Sequence, residues 1–156
     1  PWKFIIVKGE SKKGMLEAFK KGLEQEKCGN GILQNSKQHL AGAEYTIEIL
    51  RQAPVTIFVL NSEGRDLFQI LTPEEKIYEI ANIESISAAI QNMILTATDI
   101  GIGSLWVCDV FFAYKELNEW LNTDGEMIAA LALGYPIESP NARSRKKLSN
   151  ILIWRK

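Results

Sequence analysis

A single histidine, His39, occurs in the 156 residues. That excludes a multi-histidine metal site, and any Ser-His-Asp triad would have to use this one residue. His39 follows the polar run Gln34-Asn35-Ser36-Lys37-Gln38, which reads as a solvated surface segment. Cysteine is almost as scarce: Cys28 and Cys108 lie far apart in no CxxC spacing. No disulfide framework is encoded, and the usage fits a reducing compartment, so a cytoplasmic location is expected. No apolar stretch approaches the roughly 20 residues of a membrane span, and no basic-then-apolar leader opens the chain. With a net charge of −1, the sequence does not look like a general nucleic-acid or membrane-surface binder.

What remains is ordinary globular material, 46% hydrophobic and 24% charged. The length suits one domain over residues 1–156, whose core needs no disulfide or metal support. Two features are irregular. Pro1 is not an initiator methionine, and Trp2-Lys3-Phe4-Ile5-Ile6-Val7 already reads as a strand, so a segment before Pro1 is expected to be missing. Charge is also segregated: residues 1–138 carry 12 basic and 19 acidic groups, whereas 139–156 carry six basic and none acidic.

Apolar, β-branched runs predict strands at Lys3–Val7, Pro54–Leu60, Ser104–Cys108 and Glu126–Leu133, with a last one at Asn150–Trp154. Helical spacing predicts a helix from Ser11, its cap, to about Glu26, and a second from Ser36 to Arg51. Thr72-Pro73-Glu74-Glu75 combines an N-cap, a first-turn proline and a capping-box glutamate. Ser85–Ile100 is apolar over most of its circumference and is expected to be the central buried helix, closed by Gly101. A short helix is expected over Tyr114–Leu121. Strands alternating with helices give a three-layer sandwich, α/β or α+β.

Local chemistry is sparse. Gly101-Ile102-Gly103 fails as a dinucleotide fingerprint, because a helix precedes it, a strand follows it, and Trp106 occupies the third glycine position. A helix-to-strand turn explains it as well. No Walker A lysine motif and no in-line carboxylate pair occur, and Cys108, at the end of an apolar strand, reads as a small buried hydrophobe. The cluster Arg143, Arg145, Lys146, Lys147 is either a solvated tail or, through Arg143 and Arg145 on one face of an extended segment, a grip for one phosphate.

Taken in order, these segments resemble the FMN-dependent nitroreductase family. Pro1-Trp2-Lys3-Phe4 resembles the end of its Asn-x-Gln-Pro-Trp-x-Phe element, and Ala53-Pro54-Val55 its "AP-V" strand entry. Ala88 to Leu95, running on to Gly101-Ile102-Gly103-Ser104, is similar to its long helix and Gly-Leu-Gly turn. Leu131-Ala132-Leu133-Gly134-Tyr135-Pro136 resembles "ALGYP", and Arg143-Ser144-Arg145 the terminal basic pair.

The resemblance implies an α+β, three-layer α/β/α sandwich with a mixed, mostly antiparallel sheet. It implies a homodimer with two FMN sites at its interface. The backbone of Trp106, Val107, Cys108 and Asp109 would lie along the flavin ring, and Arg143 and Arg145 would reach the FMN phosphate. The family's Arg-Arg-Ser element and the asparagine of Asn-x-Gln would fall before Pro1. Asp109 departs from the pattern, standing where many relatives have glycine. The implied activity is hydride transfer from NAD(P)H through flavin to a nitroaromatic, quinone or similar small-molecule acceptor. The flavin does that chemistry, so no catalytic side chain and no metal is expected. The alternative is a non-catalytic flavin-binding or sequestering relative, or a truncated remnant that folds without cofactor. NADH consumption with a nitroaromatic or quinone separates the two.

Overall fold

Residues 1–155 are described by a computed structural model. The strand runs seen in the sequence build one four-stranded sheet: β1 (Trp2–Lys8), β2 (Val55–Asn61), β3 (Gly103–Val107) and β4 (Glu126–Gly134), in the order β1-β2-β4-β3. Every neighbouring pair is antiparallel, so the expected mixed sheet is, among the described residues, purely antiparallel. Trp2 pairs with Asn61, Val59 with Ala129, and Val107 with Ala130. That register gathers the start of β1, the end of β2 and the start of β4 at one rim of the sheet, and β3 runs toward the same rim but ends at Val107, opposite Ala130.

Both faces are covered, which makes the architecture α+β in three layers. On one face α1 (Ser11–Lys27), α2 (Leu40–Gln52) and α4 (Tyr114–Leu121) bury Met15, Phe19, Leu23, Leu50 and Leu117 against Phe58, Leu60 and Met127. On the other, α3 (Pro73–Asp99) packs Ile86 and Ile90 on Val59 and Ala129. Side-chain alternation explains the division, since Phe58 and Val59 must face opposite layers. β2 is the most buried strand, as its continuous apolar run implies. No helix among the described residues is long and apolar enough to cross a membrane.

Several expectations need correction. The Thr72 capping box forms, with Glu75 N–H bonded to the Thr72 hydroxyl, but it opens a single helix that runs on to Asp99. Propensity favours this, because nothing between Glu75 and Ser85 is a glycine or proline. Nor is α3 centrally buried: only Ile86, Ile90 and Ala97 are, while Ile77, Tyr78, Ile80, Ile83 and Leu95 are exposed. A single layer lies beneath this helix, so only one stripe can be covered. Ser36–His39 belongs to a 3-10 segment, Gln34–His39, kinked at Ser36, and α2 starts only at Leu40. Glu10, not Ser11, holds the N-cap of α1 and makes no side-chain cap bond. Asn150–Trp154 is not a strand. It follows a 3-10 turn, Leu148–Asn150, and residues 135–155 are exposed throughout. An apolar run becomes a strand only beside a partner edge, and β3 and β1, the two edges, do not pair with it.

Candidate active site

The rim where β3 ends carries the residues that the sequence points to. Trp106 lies opposite Leu131 and packs in the α3 layer, while Val107 turns into the α1/α2 core. The chain then leaves the sheet at Cys108 and enters a 3-10 turn, Asp109–Ala113. Val110, Phe112 and Ala113 are buried and root this turn in the core. Cys108 is exposed, which corrects its reading as a buried hydrophobe: the strand ends one residue earlier, at Val107. Its thiol is pushed up from the usual range, first by partial desolvation and then by the charge of Asp109, so it is not an activated nucleophile.

Asp109 points inward. Its Oδ2 accepts a 2.5 Å hydrogen bond from the Thr46 hydroxyl, on the buried face of α2. Thr46 is a partner of the corner that the sequence reading does not single out. Its one signal is a polar side chain at the spacing of buried Ala43, Ile47 and Leu50. A glycine sets the height of the turn: a Cβ on Gly22 of α1 would come within 2.3 Å of Ala113 Cα, so α1 and the turn touch backbone to backbone.

Polar groups crowd the neighbouring part of the rim. Tyr114 donates its hydroxyl proton to the Glu126 carboxylate, with oxygens at 2.7 and 2.8 Å. Burial first, then the charges of Asp66 and Glu79, lifts Glu126 above the usual carboxylate range, against the pull of the Tyr114 bond. Buried Asn61 donates to Glu79, whose other oxygen accepts from the Arg65 N–H. An open groove of about 490 Å³ lies here, lined by residues that include Asp66, Phe68, Tyr114, Lys115 and Glu126. Among the described residues, no cluster of three histidine, cysteine, aspartate or glutamate side chains could hold a metal ion.

The basic pair is not brought to the rim within one chain. Arg143 and Arg145 are exposed, and no hydrogen bond or ion pair among the described residues ties them to the sheet. Arg145 donates only to the Arg143 carbonyl, at 3.2 Å, so both guanidinium groups keep donors free.

The donor set fits the FMN implied by the resemblance. The buried indole N–H of Trp106 lacks an acceptor, the peptide at Cys108 is at the surface, and two guanidinium groups carry no carboxylate. Unmatched donors are what an acceptor-rich ring edge and a phosphate require.

Solved structures share this architecture. A BluB-like flavoprotein from Clostridium difficile 630 is 23% identical with a TM-score of 0.69, over 99% of this chain and 80% of its own. The FMN-dependent nitroreductase NfnB from Mycobacterium smegmatis, solved in complex with NADPH, is 15% identical with a TM-score of 0.65, over 100% of this chain and 79% of its own. The FMN and NADPH-dependent nitroreductase NfnB from Sphigopyxis sp. strain HMH is 16% identical with a TM-score of 0.64, over 100% and 80%. At such identities these are likenesses of fold. The sequence model of the nitroreductase family matches residues 1–135, which take in the whole sheet and the Trp106–Asp109 corner, and on that match the chain belongs to the nitroreductase family.

Proposed function

We propose that the protein is an FMN-dependent oxidoreductase that takes hydride from NAD(P)H and passes it, by ping-pong exchange, to a nitroaromatic, quinone or similar small acceptor. The observation that carries this reading is the Trp106–Asp109 corner. It is a turn at the end of an edge strand that exposes Cys108, in the fold of FMN-dependent nitroreductases, with its one carboxylate turned inward. Bound FMN would supply the hydride-accepting and hydride-donating ring. This chain's part is to bind and orient it: the backbone N–H groups at Cys108 and Asp109 would face the ring, and Arg143 and Arg145 would neutralise the phosphate. Neither role needs a side-chain base, in keeping with a rim that lacks an activated thiol.

Apolar surface supports a homodimeric site. Trp2, Phe4 and Ile6 stand exposed on β1, Ile77, Tyr78, Ile80 and Ile83 on α3, and Ile151 to Trp154 on the tail. Patches of this extent are covered in most stable proteins. In the proposed dimer, each tail brings its arginine pair to a rim. We also place the protein in the cytoplasm, because its two exposed thiols are unpaired.

Two measurements on the purified protein test the reading. NADH or NADPH should be consumed when a nitroaromatic or quinone acceptor is added, and no consumption with flavin bound would favour the non-catalytic alternative. Arg145→Ala should weaken FMN binding roughly ten- to a hundred-fold, as expected for losing a charge-assisted bond of about 1.5–3 kcal/mol. Riboflavin, which has no phosphate, should bind both forms alike. Equal weakening of riboflavin would remove Arg145 from the phosphate site.

A further inference from the structure

Three of the four buried positions on the inner face of α2, Ala43, Ile47 and Leu50, are apolar; the fourth, Thr46, is 6% exposed and carries a hydroxyl. A threonine hydroxyl within a helix can donate back to the carbonyl four residues earlier, as exposed Thr96 and Thr98 do in α3. Thr46 instead reaches across 63 positions of sequence to Asp109, at 2.5 Å. Burying a polar group costs stability unless it is bonded, so this pairing fixes where both side chains point.

The consequence falls on the Cys108–Asp109 peptide. Farther along, the turn is rooted by Val110, Phe112 and Ala113 in the core. At its first residue the anchor is the Asp109 carboxylate on Thr46. Released from Thr46, that carboxylate would be free to swing to the rim beside exposed Cys108, where its charge is already felt at the thiol. A negative charge there would oppose the electron density that a flavin gains on reduction.

We propose that Thr46 is a positioning residue for the flavin: by holding the Asp109 carboxylate on the α2 side, it leaves the rim to peptide donors and so favours the reduced ring. This rests on the flavin reading given above. It also explains how the family's glycine position tolerates an aspartate here, since the added carboxylate is stowed against a helix.

The test is the flavin midpoint potential of the purified, FMN-loaded protein at pH 8, where both a carboxylate and the reduced ring are negatively charged. Thr46→Val keeps the branched shape and removes the donor. It should weaken binding of reduced relative to oxidised FMN by about tenfold, which for a two-electron couple lowers the potential by about 30 mV. Thr46→Ser, which restores a hydroxyl, should restore the potential. Placed in an Asp109→Asn background, Thr46→Val should change nothing, because no charge is left to position. If the valine variant does not fold, Thr46→Ala carries the test, alanine being the best helix former. The proposal is overturned if FMN binds and the potential does not move in the valine or alanine variant. It is equally overturned if the potential falls as far in the Asp109→Asn background, since the effect would then be one of packing. A wild-type protein that takes up no FMN overturns the flavin reading itself, a different result from bound flavin with an unmoved potential.

Discussion

Glu126 shows how one residue at the rim sets a pH dependence. Burial lifts its carboxyl above the ordinary range, with Asp66 and Glu79 adding to the shift, and Tyr114 is pushed up by burial and by Glu126 in turn. For a group whose folded-state value is raised, protonation favours the fold. The associated stability is complete below the ordinary carboxylate range and is lost as pH rises through the raised value. Glu126→Gln keeps an acceptor for the Tyr114 hydroxyl and removes the charge. Wild type and variant should melt alike near about pH 4. At about pH 7 the variant should be the more stable, by less than about 1 kcal/mol because the carboxyl is half exposed and solvent screens it. Thermal melts at the two pH values check this, and a more stable wild type at the higher pH would show that the Tyr114 bond outweighs burial.

At the scale of elements, the contact between α1 and the Asp109–Ala113 turn decides where the corner sits. Glycine inside a helix ordinarily costs about 1 kcal/mol against alanine. At Gly22 the sign should reverse: a Cβ would stand 2.3 and 2.4 Å from Ala113 Cα and Cβ, and backbone cannot give way as a flexible side chain does. Gly22→Ala should therefore destabilise by about 1–3 kcal/mol, as overpacking does, read as a lower denaturant midpoint. An unchanged midpoint would mean that α1 shifts freely. The same elements show what could be read in advance. The Thr72 box, the buried run of β2 and the turn at Gly101, which adopts φ +76°, are local, and residue type alone specifies them. The strand that leads into Trp106–Asp109 was legible in its apolar run. The Thr46–Asp109 bond was not, because its partners belong to elements that only the tertiary fold brings together. The missing last strand fails for the same reason: Asn150–Trp154 has a strand's composition, but the pairing edge it needs lies outside its own sequence.

At the scale of the whole molecule, the proposed site has two parts, a rim that is formed within the chain and an arginine pair that is not tied to it. On the proposed reading, a second copy unites them while covering β1, the first half of α3 and the tail. Trp154 at 83% and Ile6 at 63% exposure give the apolar area that such a contact would bury. Sedimentation at micromolar concentration should find twice the mass of one chain, and a stable flavin-loaded monomer would contradict the shared site. The measurement that bears most directly on the account is a titration of the purified protein with FMN, followed by flavin absorbance and by the quenching of flavin fluorescence. The account predicts saturable uptake of one FMN per chain. A folded protein that carries no flavin and takes up none across the titration would contradict it.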